Sequence, residues 1–115
     1  MIHTAHASRY HWGQIGTPVE FQRGEWQISR VYAVLGRSEP ALYHARRCLG
    51  ICKASELGDF DVAFAYEAMA RAYSVAKNYD ACERYLTLAK AVADTIDDRR
   101  NREYVLSELC SIPRN

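Results

Sequence analysis

Apolar residues recur along this chain at spacings of three and four, which is the period of an amphipathic α-helix. The first clear run follows Thr17-Pro18, where threonine is a good helix cap and proline suits the first helical position. Glu20 can close a capping box with that threonine. The apolar positions of the run are Val19, Trp26, Ile28, Val31, Tyr32 and Leu35. Because Gly36 is typical of the residue after a helix, the pattern predicts a helix that ends near Leu35.

Four more helices are predicted downstream of this first one. The second begins at Ser38-Glu39-Pro40 and is stopped by Gly58, and Asp59 or Asp61 caps the third. Asn78 separates the third helix from the fourth and can cap the fourth. The predicted helices run from 18 to about 35, from 38 to about 57, from the residue after Asp59 or Asp61 to about 76, from about 79 to 96, and from 99 to about 111.

Negative charge marks the start of the last predicted helix and a proline marks its end. Asp97 and Asp98 lie where carboxylates stabilise a helix N-terminus, and Pro113 cannot continue the helix. At the other end of the chain, the stretch 4–15 before Gly16 predicts one further short helix.

The composition supports an all-helical, single-domain protein. Among 115 residues, 49% of them hydrophobic, we count 16 Ala against 17 Val, Ile and Thr together. Alanine is the best helix former and a poor strand former, so the composition argues against a β-sandwich or barrel. The net charge of +1 lacks the basic excess of a nucleic-acid-binding protein and the strong charge of a disordered tail.

The chain has neither the pattern of a secreted protein nor that of a membrane protein. The N-terminus lacks a basic segment followed by an apolar run, so no signal peptide is expected. The longest apolar runs cover residues 31–35 and 62–66, whereas a membrane span needs about 20 residues. We therefore expect a cytoplasmic protein whose four cysteines, Cys48, Cys52, Cys82 and Cys110, are reduced and buried.

The chain contains an internal sequence repeat. Its two copies align with each other at an interval of 41 residues. This interval places RVYAV at 30–34 on RAYSV at 71–75. It also pairs Ile28 with Met69, Ala41 with Cys82, Ala45 with Leu86 and Cys48 with Ala89. Small residues at such positions let two helices approach closely, and Tyr32 and Tyr73 are large enough to fill the space between neighbouring hairpins. The chain is thus expected to repeat one helical hairpin.

The spacing of small and aromatic residues in 31–48 and again in 69–89 resembles the tetratricopeptide repeat, and the resemblance extends over about residues 20–96. Segments 5–12 and 23–27 are also similar to small bacterial tetratricopeptide-like proteins with no assigned activity. The resemblance implies an all-α, right-handed superhelix of antiparallel helical hairpins. Both copies exceed the usual repeat length of about 34 residues, which implies extended helices.

The repeat divides a single domain, residues 1–115, into four parts. A half-repeat helix occupies 1–16, two full repeats occupy 17–57 and 58–96, and a capping helix occupies 97–115. Ala7 lies one repeat interval before Cys48, so the first part corresponds to the second helix of a preceding repeat. We expect either a chain shortened at its N-terminus or a partner that fills the gap.

The repeat family implies a concave groove lined by the first helix of each hairpin. In this chain the implied groove residues are Arg23, Trp26, Arg30, Ala33 and Val34 in one hairpin, and Phe64, Glu67, Arg71, Ser74 and Val75 in the other. Arg30 and Arg71 occupy equivalent positions, and paired guanidinium groups suit carboxylate ligands. The functional interpretation is an acidic peptide, or a C-terminal carboxylate, held by both arginines against Trp26. The alternative is internal pairing with Glu67, four residues from Arg71.

Two clusters of potential metal ligands favour structural roles. His3 and His6 share a helix face near His11, but no second ligand motif follows, and such histidines more often form hydrogen bonds at a surface or interface. His44, Cys48 and Cys52 lie on one helix face, yet His44 and Cys52 are about 12 Å apart at 1.5 Å per residue, too far to share one ion. We predict no metal and no cofactor.

The sequence also lacks a nucleophile elbow, a phosphate-binding glycine loop and metalloprotease spacing. The basic run at residues 99–102 is interpreted as a solvated face, with nucleic-acid contact as its alternative.

We therefore expect a non-enzymatic module that binds a protein or peptide, with neither nucleic acid nor membrane as a partner. A homodimer is the first partner expected, because uncovered apolar ends of a repeat mark an interface. The alternative is a sensor domain that binds a small acidic molecule or a signalling peptide in the groove, and an enzyme ranks third.

Overall fold

The computed structural model describes residues 17–113, which form five α-helices and contain no β-strand. The helices are α1 (Pro18–Val34), α2 (Ser38–Ala54), α3 (Asp59–Val75), α4 (Tyr79–Ala93) and α5 (Arg99–Cys110). The all-helical prediction is confirmed for this part of the chain. The predicted helix at 4–15 lies outside the described residues, as do His3, His6 and His11.

Side chains cap three of the helices as the sequence predicts. The Thr17 hydroxyl accepts a hydrogen bond from the Glu20 backbone N–H at 3.3 Å and begins α1. Asn78 caps α4 by accepting from the Ala81 N–H at 3.2 Å. Asp98 begins α5 in the same way, and its carboxylate accepts from the backbone N–H three residues later at 2.9 Å. Each cap satisfies a backbone donor that the helix itself leaves unpaired.

The prediction that Asp59 or Asp61 caps α3 is wrong. Gly58 occupies the cap position and offers no side-chain oxygen, and both aspartates lie inside the first turn. There they act through charge, because a carboxylate is favourable near the positive end of the helix dipole.

Three helices end with a residue in the left-handed backbone region. Gly36, with φ of 74°, ends α1 as predicted, and its N–H donates to the Ala33 carbonyl. Glu56 (φ 51°) and Lys77 (φ 63°) play the same part after α2 and α3. As a result α2 ends at Ala54, before the predicted boundary at 57, and the chain turns at Glu56 rather than at a glycine.

Small residues form the contacts between successive helices. Each of α1 to α4 packs on the next, α1 also contacts α3, and α5 packs on α3 and α4. The predicted close-packing residues are all buried, namely Ala41, Ala45, Cys48, Cys82, Leu86 and Ala89. Five alanines of α3 are buried as well, because this helix is covered on several sides.

The tyrosines at the repeated positions pack within their own pair of helices. The Tyr32 ring stacks on His44 of α2 with centroids 5.8 Å apart, and Tyr73 stacks on Tyr85 of α4 at 5.7 Å. Tyr73 also packs against the buried cluster of Ala45, Ala68 and Met69, which contains residues of both α2 and α3. That the two tyrosines fill the space between neighbouring hairpins stays a prediction.

Candidate functional site

The ten residues predicted to line the groove lie along the line of contact between α1 and α3, which we call the α1–α3 seam. Three recesses follow one another along it. Arg23, Trp26 and Phe64 line the first. The second is a narrow gap bordered by Trp26, Arg30, Glu67 and Arg71. Val34, Arg71 and Ser74 line the third.

Glu67 is the centre of the middle part of the seam. Its side chain is almost fully buried, and its carboxylate accepts hydrogen bonds from Trp26 Nε1 at 2.9 Å and from Arg71 Nε at 2.7 Å. Arg30 Nη1 lies 3.8 Å from the same carboxylate. The internal pairing that the sequence left open is therefore present. Pairing is what a buried carboxylate requires, because an unpaired buried charge is strongly destabilising.

A second carboxylate, which is not among the predicted groove residues, completes this group. Glu108 of α5 lies 3.7 Å from Arg30 Nη1 and 3.8 Å from Arg71 Nη2. Arg71 Nη2 also donates to the Ser111 hydroxyl at 2.8 Å. We call Arg30, Glu67, Arg71 and Glu108 the arginine–glutamate cluster. Its two positive and two negative charges balance.

One sequence signal could have identified Glu108, because it lies one repeat interval after Glu67. Trp26 closes the cluster on one side. The Arg30 guanidinium carbon lies 5.7 Å from the centre of its ring, within reach of a cation–π contact.

Aromatic rings from three helices surround the first recess, which we call the aromatic recess. It has a volume of about 260 Å³ and is lined by Gln22, Arg23, Trp26, Gln27, Phe60, Asp61, Phe64 and Tyr104. Phe64 is the central ring, in contact with Trp26 at 5.6 Å, Phe60 at 5.0 Å and Tyr104 at 5.5 Å between centroids. Tyr104 is 52% exposed, so the recess is open to solvent on the α5 side.

Two polar groups of the aromatic recess are unusual. Gln22 is only 1% exposed, and its side-chain oxygen Oε1 has no hydrogen-bond partner among residues 17–113. Its amide nitrogen donates to Cys48 Sγ at 3.1 Å and to the Asp61 backbone carbonyl at 3.4 Å. The Asp61 carboxylate is 14% exposed and is paired with Arg23 at 3.2 Å. A buried carbonyl oxygen without a donor is rare in folded proteins.

The third recess is smaller and less polar than the aromatic recess. It has a volume of about 210 Å³, and Val34 and Val75 line it together with Pro113. The Ser74 hydroxyl donates a hydrogen bond to the Pro113 carbonyl. This contact attaches the end of the described chain to the seam.

The histidine and cysteines of α2 have structural surroundings, as predicted. Glu25 accepts hydrogen bonds from His44 Nδ1 at 2.6 Å and from Arg47 Nε at 2.9 Å. A hydrogen bond with Cys52 and burial together raise the pKa of the Cys48 thiol well above its ordinary value, so this thiol stays protonated.

Within residues 17–113, no group of three metal-binding side chains is close enough to hold an ion. Cys110 is exposed, contrary to the expectation that all four cysteines are buried.

None of α1 to α5 has the length and apolar character needed to cross a membrane. Comparison of the chain with protein-family models, with curated proteins and with solved structures finds no match.

Proposed function

We propose that this chain is a non-enzymatic binding module that holds a peptide segment of a partner protein along the α1–α3 seam. The observation that carries the proposal is the row of three recesses on this seam, lined by the residues that the repeat pattern assigns to a groove. An extended peptide can place one side chain in the aromatic recess, as its main anchor, and another in the third recess, and pass over the narrow middle gap, which has no room for a side chain.

The helix boundaries support a tetratricopeptide-like superhelix as the scaffold. Both bounds of α3 lie one repeat interval after those of α1, and α4 begins one repeat interval after α2. The stacked pairs Tyr32–His44 and Tyr73–Tyr85 keep the same interval. By this register Glu67 and Glu108 are equivalent, so we infer that α5 extends the seam as a third groove helix.

Two features of the seam favour a peptide over the small acidic ligand of the alternative function. The guanidinium groups of Arg30 and Arg71 already face Glu67 and Glu108. An acidic ligand would have to compete with two carboxylates of the chain itself. The aromatic recess, in contrast, is open, and the Arg23–Asp61 ion pair at its edge is exposed on the arginine side.

Self-association remains a prediction. The exposed residues of α5 are mostly polar and include Arg99, Arg100, Asn101, Glu103 and Ser107. A polar outer face is typical of a terminal helix that caps a repeat protein. We therefore propose the seam, rather than the outer face of α5, as the surface that meets a partner.

Selection of random displayed peptides on the folded protein tests the proposal. Gln27 is exposed and lines the aromatic recess, so Gln27→Trp is expected to fill the recess without disturbing the core. Selected peptides should bind this variant about tenfold or more weakly, the loss expected for one anchor residue. Arg84→Trp, at an exposed position of α4, is the matched control and should bind as the wild type does. Equal binding to wild type and Gln27→Trp would show that peptides do not use the seam.

A further inference from the structure

We propose that the aromatic recess binds a cationic side chain with N–H donors, an arginine or a lysine of the partner peptide. This inference rests on the proposed function and names the chemistry of its main anchor. It differs from the acidic ligand that the sequence suggested for Arg30 and Arg71, because it concerns the neighbouring recess.

The size of the recess suits one side chain. Its volume of about 260 Å³ is below the ~300–1,000 Å³ of typical small-molecule sites. A single long side chain that enters from solvent past Tyr104 fits this space better than a drug-sized ligand or a cofactor.

The Asp61 carboxylate indicates that the occupant is a hydrogen-bond donor. It lines the recess, its side chain is 14% exposed, and a carboxylate accepts strong hydrogen bonds from charged N–H groups. The Gln22 oxygen is not available to an occupant, because it is buried away from any accessible surface. A guanidinium or ammonium group can donate to Asp61, whereas a quaternary ammonium group has no N–H to donate.

The carboxylate of Asp61 and the aromatic rings add the preference for positive charge. Ring faces attract cations, and three helices contribute the rings of Trp26, Phe64 and Tyr104. Asp61 is largely buried and supplies the negative charge. An anion could pair with Arg23, but it would also meet the Asp61 carboxylate and the aromatic rings, which disfavour it.

Arg23 is the positive group that already faces Asp61, and it behaves as a replaceable partner. Its side chain is 57% exposed and reaches the Asp61 carboxylate from the solvent side. An exposed ion pair of this kind contributes little stability, so a cation from the partner can take its place. We therefore expect removal of Arg23 to strengthen the binding of a cation, whereas it would weaken the binding of an acidic ligand.

Nuclear magnetic resonance titration with small probes tests the inference without knowledge of the partner. The probes are n-butylguanidinium, n-butylammonium, n-butyltrimethylammonium and n-valerate at constant ionic strength. The indole N–H signal of Trp26 and the backbone signals of Phe60 and Phe64 report on the recess. The two probes with N–H donors should give saturable shifts, and butyltrimethylammonium and valerate should bind more weakly.

Three variants make the result specific. Asp61→Asn should weaken butylguanidinium binding about tenfold, the loss expected for one charge-assisted contact. Arg23→Ala should bind the probe more tightly than the wild type does. Asp80→Asn removes an exposed carboxylate from the first turn of α4 and should change nothing. Because Arg23 is exposed, its variant stays informative even if Asp61→Asn unfolds.

Several outcomes would overturn the inference. They are the absence of saturable binding by both donor probes, tighter binding of valerate, equal binding of butyltrimethylammonium, and weaker cation binding by Arg23→Ala.

The proposed function fails on a different result. If butylguanidinium fills the recess while selected peptides bind Gln27→Trp as well as the wild type, the recess chemistry holds and the peptide-binding seam does not. If peptides need the seam but neither donor probe binds, only the cation inference fails.

Discussion

At the scale of single residues, Glu67 determines the chemistry of the seam. It is fully buried, and it accepts hydrogen bonds from one tryptophan and one arginine while it faces a second arginine. A carboxylate in this position is stable only because those partners surround it. The sequence predicted its pairing with Arg71, since the two residues are four apart on one helix. The bond from Trp26 joins two helices and could not be predicted from local spacing.

We predict that Glu67→Gln destabilises the protein by about 2–4 kcal/mol, because two arginines then share only Glu108. The glutamine keeps the shape of the side chain and a carbonyl oxygen for Trp26. Chemical unfolding monitored by circular dichroism measures the effect.

The matched control is Glu103→Gln, which breaks another glutamate–arginine pair at a spacing of four. Glu103 and Arg99 are 61% and 82% exposed, so this change should cost less than about 1 kcal/mol. Equal stability of Glu67→Gln and wild type would contradict the role given to the buried carboxylate.

At the scale of elements, helix starts could be predicted more reliably than helix ends. Thr17, Asn78 and Asp98 cap their helices through hydrogen bonds to residues three positions later, so the signal is local. Glu56 and Lys77 end helices with positive φ although neither is a glycine. No local preference marks such residues, because the hydrogen bonds of the helix end and the packing of the next helix impose their conformation.

We predict that Lys77→Gly stabilises the protein by about 0.5–1 kcal/mol. Glycine adopts positive φ without the steric cost that a side chain incurs. The free energy gained by relief of that cost is larger than the free energy lost because glycine makes the unfolded chain more flexible. Thermal unfolding should show a higher midpoint.

Gly36→Ala is the reciprocal control, because Gly36 ends α1 in the same backbone conformation. Among residues 17–113, no heavy atom outside its immediate neighbours lies within 4 Å of the position that an alanine Cβ would occupy, so the loss of about 1 kcal/mol comes from the backbone alone. A lower midpoint for Lys77→Gly would mean that the Lys77 side chain makes a contribution of its own.

At the scale of the whole molecule, α5 joins the other helices into one unit. Val105, Leu109 and Ile112 lie in the same buried cluster as Phe64 of α3 and Leu86 of α4. Glu108 extends this connection to α1 through Arg30. A terminal helix that contacted only its neighbour in sequence could unfold by itself, and these contacts with three other helices oppose that behaviour.

We therefore predict that Leu109→Ala lowers the global stability by about 2–5 kcal/mol and leaves one cooperative unfolding transition. Leu109 is buried, so its removal creates a cavity between α5 and the rest of the core. Cys110→Ser, at the adjacent exposed position, should stay within about 0.5 kcal/mol of wild type. The prediction fails if the urea midpoint is unchanged and hydrogen exchange rises in α5 alone.

The sequence by itself determined the helical class, three of the helix starts and the small residues that are buried where helices meet. These properties depend on contacts between residues three or four apart, or on a period that repeats along the chain. Only the tertiary structure decided that Glu108 faces both arginines, that Tyr104 completes a ring cluster with Phe64, and that the Gln22 oxygen has no partner among residues 17–113. These groups are distant in sequence, and their meeting depends on how the helices cross, which local preferences do not specify.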